Sequence, residues 1–141
     1  MRIYVAAPLF SSAERDWNAT LAAALRGAGH EVFLPQEQEP GKDAPGIFAA
    51  DVGGIDWADG LVAIMDGADP DSGTCWEVGY AYRKKPIVIV RTDMRRTGSD
   101  GSAYNPMLAE SATIRVDAVA APIDLVARDV LDALARLEAA S

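Results

Sequence analysis

The sequence predicts a single α/β domain, residues 1–141, built on a doubly wound parallel sheet of five strands. Three observations predict it. Strand-like apolar runs alternate with helix-like stripes five times along the 141 residues, and most connections are too short for anything but right-handed crossovers. Two of the runs, residues 61–65 and 87–90, are almost wholly apolar, as strands buried on both faces of a parallel sheet must be. Helices on both faces supply that cover.

Residues 2–6, rich in β-branched and aromatic side chains, read as the first strand, which Pro8 closes. Ser11 and Glu14 form a capping box for the first helix. Its buried stripe is Trp17, Leu21, Ala24, Leu25 and Ala28, and Gly27 and Gly29 end it. Residues 30–34 give the second strand, stopped by Pro35; His30 opens it far from the carboxyl edge and reads as structural. Residues 36–46, with two prolines and two glycines, form a flexible loop and candidate lid in which Glu37 and Glu39 are solvated. Ile47, Phe48, Val52, Ile55 and Ala58 mark a second helix over 47–59. Its Gly53-Gly54 pair costs about 1 kcal/mol per glycine relative to alanine, so a close approach to that backbone is expected. Asp51 has no basic partner at the next turn, and a solvated face is its default reading.

After the third strand, 61–65, Asp66-Gly67 ends the run, and Asp66 fits a turn former. A helix follows over 74–84. Pro86 opens the fourth strand, 87–90, and residues 91–104 form a second long loop whose tip is expected to be mobile. Asn105-Pro106-Met107-Leu108 begins a short helix, residues 113–116 give the fifth strand, and Pro122 starts a last helix with Ile123, Val126, Ala127, Val130, Leu134 and Leu137 buried. The simplest arrangement is the flavodoxin-like strand order 2-1-3-4-5.

Composition narrows the function. The chain is 50% hydrophobic and 24% charged with a net charge of −8, which argues against nucleic acid or an anionic membrane surface as the main partner. No apolar run approaches the roughly 20 residues of a membrane span, and Met1-Arg2 leads straight into the first strand without a signal segment, so a cytoplasmic protein is expected. Cys75 is the only cysteine and His30 the only histidine, so one chain can build neither a disulfide nor a Cys/His zinc site. Acid–base chemistry falls to carboxylates, Tyr or Lys. No glycine-rich phosphate loop follows the first strand, which removes the best support for nicotinamide-dinucleotide or ATP-hydrolysing readings. Neither a cofactor nor a metal is expected.

The chemistry concentrates in Asp71-Ser72-Gly73-Thr74-Cys75-Trp76-Glu77-Val78-Gly79-Tyr80-Ala81. Asp71 and Glu77 stand six residues apart across a loop-to-helix junction, at the mouth of a strand, where open α/β sheets bind ligands. Thr74 with Glu77 also fits a capping box, and the motif alone allows either reading. Trp76 and Tyr80 would partly desolvate Glu77, while Cys75 reads as a small buried filler. Tyr4, Gln36, Asp66, Asp71, Glu77 and the 91–105 loop all fall at carboxyl ends of strands. Two carboxylates without metal ligands suit substitution at a carbon that develops positive charge, one as nucleophile and one handling protons.

The sequence resembles the nucleoside 2-deoxyribosyltransferases from Ile3 to about Ala112. The resemblance rests on Ile3-Tyr4-Val5-Ala6-Ala7-Pro8-Leu9-Phe10, Phe33-Leu34-Pro35-Gln36, Ile47-Phe48 with Asp51 and Ile55, and Met65-Asp66-Gly67. Further pieces are Asp71-Ser72-Gly73-Thr74 with Glu77-Val78-Gly79-Tyr80-Ala81, then Arg91-Thr92-Asp93 and Asn105-Pro106-Met107-Leu108. It implies Glu77 as the nucleophile on the anomeric carbon, Asp71 and Asp51 as the pair that contacts and protonates the leaving base, and Tyr4 as the group orienting Glu77. Asn105 matches an asparagine lent by a neighbouring subunit to the sugar 5′-hydroxyl, with Pro106 a departure from the usual pattern. Gln36, Phe10, Asp66, Gly73 and Met107 complete the implied substrate contacts. The implied partners are deoxynucleosides, free nucleobases and further copies of the chain, in homodimers or larger oligomers with shared sites; the implied reaction is a ping-pong exchange with net retention.

Two other readings compete. A related nucleotide N-glycosidase would let water take the sugar and would read a 5′-phosphate, usually through a Ser/Gly-rich loop where this chain has Pro8-Leu9-Phe10 and only Ser11-Ser12. Arg91, Arg95 and Arg96 could serve a phosphate or simply form a solvated basic loop. A non-catalytic nucleotide-binding module is the third reading.

Overall fold

The computed structural model describes residues 1–95 and 104–140. Among them, β1 (Arg2–Ala6), β2 (Glu31–Phe33), β3 (Gly60–Ile64), β4 (Ile87–Arg91) and β5 (Ile114–Asp117) pair in parallel in the order β2-β1-β3-β4-β5. This is the order read from the sequence. The connecting helices are α1 (Ser12–Gly27), α2 (Ala44–Trp57), α3 (Ser72–Ala81), the short α4 (Pro106–Ala109) and α5 (Ile123–Ala140). None of the described helices is long and apolar enough to cross a membrane.

Alternation along the strands splits the core in two. Ile3 and Val5 of β1 join Val62, Ile64, Val88 and Val90 under α1 and α5, against Leu21, Leu25, Val130 and Leu134. Tyr4 and Ala6 turn the other way, with Leu61, Ala63, Ile87 and Ile89, toward Ile55 of α2 and Val78 of α3. The period of two thus delivers Tyr4 to the face where α3 carries Glu77.

The capping box of α1 forms as expected: Ser11 Oγ accepts from the Glu14 amide at 3.2 Å, and Glu14 accepts from the Ser11 amide at 2.8 Å. At α3 the outcome differs. The helix starts at Ser72, and the carboxylate of Asp71 caps it, accepting from both the amide and the hydroxyl of Thr74 at 2.8 and 3.0 Å. Asp is as strong a cap as Thr, and its earlier position leaves Thr74 as a donor inside the first turn. The Thr74–Glu77 box therefore does not form, and Glu77 is released for other partners.

The segment before α2 is tied down rather than free. Pro35–Glu37 is a 3₁₀ turn; Gln36 donates to the Arg15 carbonyl at 2.8 Å and accepts from Asn18 at 3.2 Å. Glu37 and Glu39, read as solvated, pair with Arg26 at 2.7 Å and Arg15 at 3.2 Å on α1. α2 begins at Ala44 because Asp43 caps it, accepting from the Gly46 amide at 3.0 Å.

Arg91 also departs from the sequence reading. It is the last residue of β4 and is buried, its guanidinium donating to the carbonyls of Met65, Gly67 and Arg95 at 2.6, 3.2 and 2.5 Å. It fastens the segment after β3 to the segment after β4 and is not a solvated loop cation. Arg95 pairs with Asp93. Arg96 and the expected mobile tip lie outside the described residues.

Candidate active site

Glu77 sits in the second turn of α3, half-buried beside β1. The hydroxyl of Tyr4, wholly buried, donates to Glu77 Oε1 at 2.5 Å. Across from it, α2 presents Asp51. Between α2 and α3 lies a cleft of about 460 Å³ lined by Ile47, Phe48, Asp51, Gly73, Trp76 and Glu77, among others. Its aromatic wall is continuous: Phe48 meets Trp76 at 5.4 Å between ring centroids, tilted by 58°, and Trp76 stacks on Tyr80 at 5.3 Å and 11°. Beyond it the Lys84 ammonium caps Tyr80 at 3.7 Å from the ring centroid, and the Tyr80 hydroxyl donates to Asp56 at 3.1 Å.

The electrostatics follow from that enclosure. Burial pushes the Glu77 carboxyl up to about 7; the Tyr4 hydrogen bond opposes this, and the charges of Asp51 and Asp71 reinforce it. Asp51 rises to about 6, by burial and the charge of Glu39, against a smaller lowering by Lys42. Burial and the Glu77 charge also raise the Tyr4 phenol, so it remains a proton-bearing donor. The site thus holds a carboxylate of near-neutral acidity with one strong donor behind it, and a second carboxyl able to keep a proton close to neutrality.

The structure brings Glu77, Tyr4, Asp51 and Gly73 together. Asp71 stands at the rim, half-buried, with Oδ2 committed to capping α3. The remaining expected residues lie elsewhere in the single chain. Gln36 is bound to α1 as described. Asp66 spends its oxygens on the Thr92 amide and hydroxyl and the Asp93 amide, at 2.6, 2.5 and 2.9 Å. It borders a separate hollow of about 230 Å³ with Pro8, Trp17 and Thr92. Phe10 and Met107 are 77% and 82% exposed. Asn105, also exposed, caps α4 by accepting from the Leu108 amide at 3.2 Å. α4 borders a second groove of about 390 Å³, with Cys75, Val78 and Tyr82 of the α3 segment. Among the described residues no cluster of three or more His, Cys, Asp or Glu could hold a metal ion.

Sequence reasoning missed Phe48 and Trp76 as cleft walls and Phe33 as a neighbour of Tyr4. The signals were present: Phe48 precedes Asp51 by one helical turn, and Trp76 adjoins Glu77.

A family model described as nucleoside 2-deoxyribosyltransferase matches residues 3–125. The chain belongs to the nucleoside 2-deoxyribosyltransferase family. Members of this family are enzymes acting on the N-glycosidic bonds of nucleosides. Among solved structures, a conserved protein from Enterococcus faecalis V583 is similar at 27% identity and TM-score 0.71, over 94% of this chain and 98% of that one. A 2-deoxyribosyltransferase from Bacillus psychrosaccharolyticus matches at 29% identity and TM-score 0.69, over 82% and 85%. A CMP N-glycosidase from Clostridium botulinum shares the fold at 18% identity and TM-score 0.60, over 83% and 88%. No curated protein sequence gives a significant match.

Proposed function

We propose that this chain is a nucleoside 2-deoxyribosyltransferase that exchanges the base of 2′-deoxyribonucleosides through a covalent glycosyl ester on Glu77. The observation that carries the reading is the Tyr4–Glu77 pair facing Asp51 across an apolar, aromatic-walled cleft. In the first half-reaction a Glu77 carboxylate oxygen attacks the anomeric carbon. The C–N bond breaks with its electrons passing to the base nitrogen, and the base takes a proton from Asp51, with Asp71 at the rim assisting. In the second, the nitrogen of an incoming base attacks the same carbon, the ester oxygen leaves as the Glu77 carboxylate, and the proton of the base returns to the aspartate. Two inversions give net retention. The Tyr4 hydroxyl orients the attacking carboxylate and accommodates its charge when it leaves.

The lining also favours a nucleoside over a nucleotide. No Lys or Arg lines the cleft among the described residues, and Asp51 and Glu77 face it, so a 5′-phosphate would meet like charge. Asn105, exposed and outside the lining of the cleft of its own chain, fits donation to the site of a second copy in a homodimer or larger assembly.

The test is chromatographic: deoxyinosine with adenine, deoxyinosine alone, and a deoxynucleoside 5′-monophosphate alone. Deoxyadenosine formed only with acceptor, and lost in Glu77→Gln, is the expected result. Base released chiefly from the monophosphate without exchange would move the chain to the N-glycosidase reaction, and binding without turnover in all three would overturn the enzymatic reading.

A further inference from the structure

We propose that Phe33 is a positioning residue for the nucleophile, seated in a slot that Gly54 leaves open, and that it fixes where the Tyr4 hydroxyl meets Glu77. The proposal rests on the reading of Glu77 as nucleophile. Phe33 ends β2 directly beside Tyr4 in the β1–β2 register, and the two rings stack at 5.3 Å with 15° between their planes. On the far side of Phe33 runs the backbone of α2. A Cβ placed on Gly54 would lie 2.7 Å from Cε1 and Cζ of Phe33 and 2.8 Å from Cδ1, closer than packed atoms come. Phe33 is therefore clamped between helix backbone and Tyr4, and the clamp explains a helix-weakening glycine at position 54. Its neighbour Gly53 meets nothing within 4 Å, so the constraint belongs to one position.

The line of contact runs Gly54, Phe33, Tyr4, Glu77. Displacing Phe33 moves the Tyr4 ring, and the short hydrogen bond to Glu77 has no slack to follow. The groups facing Glu77 are Tyr4 from β1, Asp51 from α2 and Asp71 from the start of α3. Of these only Tyr4 favours the ionised carboxylate and holds its titration midpoint down, so loosening its bond raises the titration midpoint of Glu77 as well as slowing attack.

The experiment compares Gly54→Ala, Phe33→Leu and the control Gly53→Ala, each in the natural chain and on Tyr4→Phe. Two signals are read: single-turnover base release, and the titration of the Glu77 side-chain carboxyl by carbon NMR, with Glu77→Gln identifying its resonance. Gly54→Ala and Phe33→Leu should slow release by about 10- to 100-fold, as misplacement on the ångström scale does, and move the Glu77 midpoint upward; Gly53→Ala should change neither. On Tyr4→Phe, the same two substitutions should add less than about twofold, because the contact they act through is gone. Equal losses with and without the Tyr4 hydroxyl, or slowed release with an unmoved midpoint, would overturn the proposal. If Gly54→Ala fails to fold, Phe33→Leu completes the cycle. Full release in Glu77→Gln would sink the nucleophile reading alone, and the titration would still decide whether Phe33 and Gly54 set the environment of Glu77.

Discussion

Glu77→Gln should remove activity and, above pH 5, make the protein more stable. The amide keeps a carbonyl oxygen for the Tyr4 hydroxyl and nearly the same volume, so the change isolates the charge. Glu77 titrates at about 7 in the folded chain against an ordinary 4.5, raised by burial. Below 4.5 the carboxyl is neutral in both states and costs nothing. Between 4.5 and 7 the unfolded chain has released a proton that the folded chain still holds, so the stability of the natural protein falls as pH rises. Above 7 the full deficit applies, about 2 to 3 kcal/mol at 1.36 kcal/mol per pH unit with some allowance for solvent access. Glutamine escapes it. Urea melts at intervals from pH 4.5 to 8.5 measure the gap, which should open across this window and then stay level. In thermal scans it should reach about 5 to 10 °C. Parallel stability curves for the two proteins, or a less stable variant at pH 8, would refute the claim that the fold holds an ionised Glu77 at a cost.

Four further outcomes are expected. The exchange rate should peak between about 6 and 7, because Glu77 must be ionised while Asp51, raised to about 6, must carry the proton. Asp51→Asn should slow base release by about 100-fold and erase the alkaline limb, as a pH–rate profile would show. Gly73→Ala places a methyl 3.1 Å from Asp71 Oδ2 at the cleft rim; it should raise the KM for the nucleoside by about tenfold, measured by steady-state kinetics, with the melting temperature little changed. Asp66→Ala strips the acceptor from three hydrogen bonds outside the cleft. It should lower stability by about 2 to 3 kcal/mol in urea melts while KM stays within a small factor.

The strand order was legible because the central strands are short apolar runs and most crossovers are too short to wander. The site was legible where chemistry and position coincide. Glu77, Asp51 and Tyr4 needed only a strand end or a helical turn to be placed together, though the resemblance rather than periodicity singled out Asp51. What escaped the sequence was competition between equals. Asp71 and Thr74 are both good caps, and only the folded turn decides between them. Arg91 looked like the first cation of a polar loop because nothing local marks its side chain as turning inward to three carbonyls. The Gly53-Gly54 pair announced that something presses on α2, yet its presser, Phe33, comes from a strand 21 residues earlier than Gly54. Gln36 and Asp66 sat at the expected edge, and the structure spends their polar atoms on holding segments together.

The hydrogen bond from Tyr4 to Glu77 joins residues 73 positions apart, and that separation carries a consequence for the folding reaction. Residues so far apart in sequence meet only after a large loop closes, a slow and entropically unfavourable event compared with local helix formation. A species with α3 formed but β1 not yet paired with β3 would expose Glu77 to water with the acidity of any surface glutamate. The raised titration midpoint of this carboxyl is therefore a property of the completed topology, set only once the first strand has arrived.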